Sequence, residues 1–181
     1  MNENYPNFNR SFLETLNFEG KFSDHSFDPG GMTMYGVTKK AYEQWRLMKQ
    51  DPIVLTADIM LSWKKEDVYD FYKEMYWDKI YGDNLENPIN FAIYDFAVNS
   101  GVMRAATIAQ FVVGVKADGF IGPVTNAAIN DMDKATFIEE YCNRRQVFLK
   151  QLKTFNIFGR GWTRRVNRVK KICMEDIEKN G

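Results

Sequence analysis

The sequence is poor in the residues that staple or metallate small proteins. It has two cysteines and one histidine in 181 residues. Cys142 and Cys173 stand far apart, with no Cys-x-x-Cys pair and no Cys/His spacing, so a thiolate metal site is not expected and no metal or other cofactor is implied. Repeats and low-complexity linkers are absent as well. No apolar run approaches the roughly 18 residues of a membrane span. With a polar start, MNENYPNFNR, the expectation is a chain made in the cytoplasm without a Sec signal and without an integral membrane segment. Net charge is missing too: Lys plus Arg number 24 and Asp plus Glu number 24. No overall field then draws the chain to nucleic acid or membrane, and no nucleic-acid partner is expected.

What is present is enough apolar and aromatic residue, 45% and 15% of the chain, to bury one sizeable core. Apolar positions recur mostly at helical spacing. They predict helices over residues 8–18 (Phe8, Phe12, Leu16), 89–98, 102–113 and 134–153. A broad face of Val68, Phe71, Tyr72, Met75, Trp77 and Ile80 predicts one amphipathic helix over 64–80, and a last helix is expected over Thr163–Lys179. Gly-Asp-Asn at 82–84 with Pro88, Asn-Ser-Gly at 99–101, Asp118–Pro123 and Phe-Gly-Arg-Gly at 158–161 mark the seams. Only residues 20–37 and 114–122 look too rich in glycine and turn formers to be helical. The expected fold is mainly α with a small glycine-rich hairpin or irregular lobe. A boundary between 82 and 90 divides it into parts 1–88 and 89–181, packed as one compact unit. No sustained heptad or long edge strand argues for assembly, so a monomer is expected. The charges are nonetheless uneven. Residues 143–174 hold ten basic side chains and no acidic one, which predicts an electropositive end or a solvated basic helix face.

Chemistry concentrates in residues 18–36, FEGKFSDHSFDPGGMTMYG. Glu19 falls where the first helical pattern ends, beside Phe18 and Phe22. A carboxyl half-buried against apolar surface resists losing its proton, which suits a general acid. Asp24, His25 and Asp28 follow within ten residues, and Asp28-Pro29-Gly30-Gly31 reads as a tight turn. Thr33 and Tyr35 are expected to alternate to one side of an extended segment that Gly36 ends. An acid at a helix end facing a small lobe of hydroxyls and carboxylates is an arrangement for glycosidic bond cleavage. Asp28 and Asp24 are the nearest second carboxylates, while Asp28 serves equally as a turn former.

The run L-x-x-L-x-x-E-G at Leu13–Gly20, then D-P-G-G-x-T-x-Y-G at Asp28–Gly36 with Val37 and Thr38, resembles the signature of bacterial and phage N-acetylmuramidases. That lysozyme-like glycoside hydrolase family also goes by the names secretion activator protein and phage endolysin. Its predicted peptidoglycan-binding half is resembled by Asp95–Gly101, by Asp118–Thr125, and by Gly159–Trp162 with Arg164–Asn167. Lys21 stands where the family usually has a second glycine. The resemblance implies an all-α lysozyme-like fold that cleaves the MurNAc–GlcNAc linkage of peptidoglycan glycan strands, with Glu19 as the catalytic acid. Asp28, Thr33, Tyr35, Asn99 and Trp162 are then candidates for holding water or sugar. Asp118-Gly119 reads rather as a turn before a helix starting at Gly122-Pro123. Work at the wall or in the periplasm requires holin-type or other non-Sec release. Two alternatives stay open: a lytic transglycosylase, and a non-catalytic wall-binding or secretion accessory protein.

Overall fold

The computed structural model describes residues 1–19, 22 and 31–180. The chain divides into two compact units, Met1–Met75 and Tyr76–Gly181. Among the described residues it is mainly helical with one small hairpin, as the sequence predicts.

In the first unit, α1 (Pro6–Leu16) buries Phe8, Phe12 and Leu16 along one stripe, as the spacing requires. Pro6 opens it at a position where no intrahelical N–H is needed. A two-stranded antiparallel hairpin follows, β1 (Thr33–Met34) and β2 (Val37–Thr38), pairing Thr33 with Thr38 and Met34 with Val37. Thr38 ends β2 and also caps α2 (Lys39–Met48), its Oγ1 accepting from the Ala41 amide at 3.2 Å. The Lys39 amide donates to the Met32 carbonyl at 2.7 Å, so the hairpin and the start of α2 are tied together. After α3 (Ala57–Ser62), the expected single helix over 64–80 is a succession of geometries. A 3-10 turn (Lys65–Val68) leads into α4 (Tyr69–Tyr72), then a π-helical turn (Lys73–Trp77) and a 3-10 turn (Asp78–Ile80). Apolar period alone does not register these changes of winding, because the predicted face remains mostly buried through them.

Aromatic rings form the first unit's core. Phe8 meets Tyr69 at 4.8 Å between ring centres and Phe12 meets Tyr72 at 5.6 Å. Phe71 continues the series to Tyr42 and Trp45, and Tyr42 reaches Trp63 at 4.7 Å. Most of these pairs are edge-on or tilted, the arrangement ring quadrupoles favour.

The second unit is built on α5 (Ile89–Ser100), whose residues 89–97 are all buried. Around it pack α6 (Val102–Val113), α8 (Lys134–Lys150) and α9 (Phe155–Asn180), with α7 (Pro123–Asp131) against α6. Asp133 caps α8 by accepting from the Thr136 amide at 2.8 Å. The seam at 99–101 and the helix start at Pro123 are where the sequence puts them. The seam at 158–161 is not: α9 begins at Phe155, eight residues before the expected Thr163, and carries Gly159 and Gly161 inside it. The reason is packing. A methyl group at buried Gly159 would stand 2.7 Å from the Phe155 ring, so the glycine makes room for an aromatic side chain one turn away.

Candidate functional site

Glu19 lies three residues beyond α1, where single turns replace the helix: the Phe18 amide donates to the Thr15 carbonyl at 2.9 Å and the Glu19 amide to the Leu16 carbonyl at 3.2 Å. The residue is half-buried. Its carboxylate comes up against the turn of the hairpin. A side chain placed on Gly36 would meet Glu19 Oε2 at 2.8 Å and the Tyr72 hydroxyl at 2.7 Å. Both oxygens thus approach residue 36 more closely than a residue with a Cβ would allow.

The hairpin turn itself uses two residues in left-handed backbone, Tyr35 at φ 50° and Gly36 at φ 77°. This pair of positive φ values gives the turn that matches strand twist in a two-residue loop. Tyr35 accordingly does not share a strand face with Thr33, contrary to the alternation expected from sequence. The sequence pattern makes Tyr-Gly the end of a strand, whereas the dipeptide is the corner. The Tyr72 hydroxyl donates to the Tyr35 carbonyl at 2.8 Å, so α4 buttresses the turn from below. Thr33, half-buried in β1, directs its Oγ1 to the Gly31 carbonyl at 3.3 Å.

Sequence pattern assigns Tyr72 only to the core and Gly36 only to the end of a strand. Tyr72 lies in the predicted apolar stripe, and its ring is core. The usable signal was its hydroxyl, since a buried tyrosine needs a partner for its O–H. Asp28, together with Asp24, His25 and Gly20, lies outside the described residues.

The remaining candidates stand in the second unit. Asn99, near the C-terminus of α5, accepts from the Ser100 hydroxyl at 3.1 Å and from Arg145 Nη2 at 3.4 Å. Trp162 is half-buried on α9, its ring 5.8 Å from that of Phe158 and 6.3 Å from that of Phe155. Beside Asn99 is a cluster for which the sequence supplied motifs without roles. Asp95 is wholly buried. Arg145 Nη1 lies 2.7 Å from its Oδ2, and Arg165 donates from Nε to Oδ1 at 3.0 Å and to Oδ2 at 3.2 Å, with its Nη2 2.9 Å from Oδ1. Burial pushes the Asp95 carboxyl up, but the two guanidinium charges and their hydrogen bonds outweigh it and hold it below the usual range. Arg165 is therefore an interior residue. The expected basic end is reduced further by pairing, with Lys170 on Glu139 and Lys171 on Glu175.

Asp118-Gly119 is a structural turn, as expected. Gln110, buried on α6, donates from Nε2 to Asp118 Oδ1 at 2.8 Å and to the Phe120 carbonyl at 3.0 Å, and its Oε1 accepts from the Gly119 amide at 2.9 Å. Gly119 has φ 83° and a Cβ there would meet Met103 at 2.5 Å. Among the described residues no three His, Cys, Asp or Glu side chains group as metal ligands, and no helix is long and apolar enough to cross a membrane.

The family model described as Glycosyl hydrolase 108 matches residues 12–101, and the one described as Predicted Peptidoglycan domain matches residues 104–167. The expected boundary at 88/89 falls between the division of the compact units and that of the family models. No curated protein matches the chain. Among solved structures, that of Brucella abortus SagA is similar with a TM-score of 0.80 and 37% sequence identity, covering 93% of this chain and 94% of that chain. Identity at that level over nearly the whole of both chains decides the matter: the chain belongs to the glycosyl hydrolase 108 family and is a glycoside hydrolase with a C-terminal peptidoglycan domain.

Proposed function

We propose that the chain is an N-acetylmuramidase that cleaves the MurNAc–GlcNAc bond of peptidoglycan with Glu19 as general acid. The observation that carries this reading is the meeting of Glu19 with the hairpin. Its carboxylate packs closely against Gly36, beside the Tyr72 hydroxyl at the end of the aromatic core. A sugar-linking oxygen brought to that carboxyl in its protonated form receives the proton as the C–O bond breaks, and water then adds to the anomeric carbon. A residue that protonates a leaving group needs a fixed direction. The backbone turns after α1 and the Tyr72–Tyr35 hydrogen bond supply it. Asp28, Thr33, Tyr35, Asn99 and Trp162 remain the proposed water and sugar contacts. The wall or periplasm is the proposed place of action.

Mass spectrometry of muropeptides released from purified sacculi tests the bond and the outcome together. A muramidase yields fragments with a reducing MurNAc end. Anhydro-MurNAc ends, lighter by one water, would replace this reading with a transglycosylase, and GlcNAc reducing ends would move the cut to the other linkage. Glu19→Gln should lower the rate of release by about 10²- to 10⁴-fold, the usual share of a general acid, while the protein folds unchanged. Undiminished release by that variant would remove Glu19 from the mechanism.

A further inference from the structure

The second unit carries a groove that the hydrolase chemistry does not use. It lies between α6 and α8, encloses about 890 Å³, and is lined from Ser100 to Phe111 on one side and from Asn143 to Gln151 on the other. That volume is in the range of ligand pockets. Three side chains of its lining are large, apolar and exposed: Met103 at 63%, Phe111 at 56% and Val147 at 57%. Scattered exposed apolar residues need no explanation, but three lining one concavity do.

The charge of the lining has one sign. Arg104 and Arg144 contribute to it, the other polar members are Ser, Thr, Asn and Gln, and no carboxylate is among them. Arg104 lies over the Phe148 ring at 4.5 Å and donates from Nη1 to the Ser100 carbonyl at 3.3 Å, so its guanidinium is fixed at the groove. Arg144 is half-exposed, with Glu140 one turn away at 3.9 Å. The Phe148 face is thereby taken by a cation and is unavailable for stacking on a sugar ring. Neutral glycans are held by free aromatic faces and by carboxylates or amides that accept from hydroxyls. This groove offers aliphatic walls and cations instead, which suits an anionic ligand bearing small apolar groups.

We propose that the groove binds the stem peptide of peptidoglycan, whose alanine methyls fit Met103, Val147 and Phe111 and whose carboxylates pair with Arg104 and Arg144. The proposal rests on the peptidoglycan reading of the chain. It gives the C-terminal domain a ligand distinct from the sugar chain. Guanidinium groups recognise carboxylates through directed, charge-assisted hydrogen bonds, and fixing one of them by a ring contact lowers the ordering cost of binding.

The test uses the full chain carrying Glu19→Gln, so that nothing turns over, titrated by NMR with free L-Ala-γ-D-Glu-meso-diaminopimelate-D-Ala. Saturable shifts of amides in 100–111 and 143–151 are expected. Val147→Glu, a change at an exposed site that sets a negative charge in the groove, should weaken binding at least about tenfold, as should replacing the peptide's carboxylates by amides. Should Val147→Glu unfold, Arg104→Gln takes its place with the same expectation. No saturable shifts at millimolar peptide, shifts elsewhere, or equal affinity of the variant would overturn the proposal. So would a dimeric parent chain made monomeric by Val147→Glu, which would assign the groove to a second copy. Because the readout is binding by a chain that cannot cleave, an error about the bond cut leaves this result standing, and failure here leaves the muramidase reading standing.

Discussion

The two units treat their polar groups in opposite ways. In residues 76–181 a carboxylate and two guanidiniums are sealed inside a helical cluster, Asp95 between Arg145 and Arg165. In residues 1–75 the interior is aromatic, and the carboxylate of interest, Glu19, is half-buried at the edge of that interior. The contrast separates two uses of an acid. Asp95 spends its charge on partners of its own chain and has no access to substrate. Glu19 is placed by backbone turns and lies against a residue that has no side chain, Gly36.

The sharpest way to break this contrast is to remove Asp95. Asp95→Ala removes the carboxylate shared by two buried cations and should cost about 3–5 kcal/mol, a large part of the total stability of an ordinary domain. Denaturant unfolding of the full chain measures it. Replacing Asp95, Arg145 and Arg165 together by Leu, Met and Leu should cost far less, because no charge is then stranded. The same cluster sets an acid limit. Since the folded carboxyl lies below its ordinary value, its contribution is complete above the unfolded aspartate range near pH ~4 and is lost only as pH falls further, through the folded value. Stability that drained away between pH 7 and 5 would have to come from another group.

Gly36→Ala is the corresponding break in the first unit. The new methyl would enter left-handed backbone and stand under 3 Å from both Glu19 and Tyr72. Strain of about 1–2 kcal/mol is expected from the backbone alone. The larger consequence is for turnover, which should fall about a hundredfold as the carboxyl is pushed off its line. Unchanged turnover with normal folding would show that the close approach does not matter to catalysis.

How much of this was written in the sequence follows the same division. The helices of the second unit were legible because α5, α6 and α8 bury regular apolar sets, and seams such as Asn99–Gly101 use glycine as a terminator. Gly159 and Gly161 misled because the glycine signal is ambiguous: at 159 it admits the Phe155 ring and ends nothing. In the first unit the motif located Glu19, but local propensity could not give the shape of the turn. Tyr35 adopts φ 50°, a conformation tyrosine rarely takes, held there by a hydrogen bond from Tyr72, 37 residues on. Such long-range contacts leave little trace in local pattern, and the Asp95 cluster, spanning 70 residues to Arg165, shares that property.

Tyr72→Phe sharpens the comparison at smaller amplitude. It keeps the ring in the aromatic core and removes only the hydroxyl, so the cost in stability should be about 0.5–1.5 kcal/mol, the net worth of one hydrogen bond. If the hydroxyl also steadies the turn facing Glu19, kcat should fall several-fold with KM nearly unchanged. An equal loss of kcat in a chain with Tyr35→Asn, which retains a residue tolerant of left-handed backbone, would point to the ring of Tyr35 rather than to the turn.

The smallest effect belongs to charge pairs at the surface. Glu139 on α8 accepts a hydrogen bond from Lys170 Nζ on α9 through Oε1 at 2.6 Å, with Oε2 2.5 Å from the same nitrogen, and Lys170 holds its carboxyl below the usual range. Glu139 is 47% exposed, so water and salt screen most of that attraction. Glu139→Gln should therefore cost only about 0.2–1 kcal/mol, and the difference should shrink in molar salt. Asp95 and Glu139 both have depressed carboxyls and both bridge helices of one unit, yet they differ in what their loss leaves behind. A stranded lysine on the surface regains water, whereas a stranded arginine in the interior has none to regain. Comparable losses from the two substitutions would mean that burial does not set the energetics of this unit, and salt dependence would then decide which of the pairs behaves out of place.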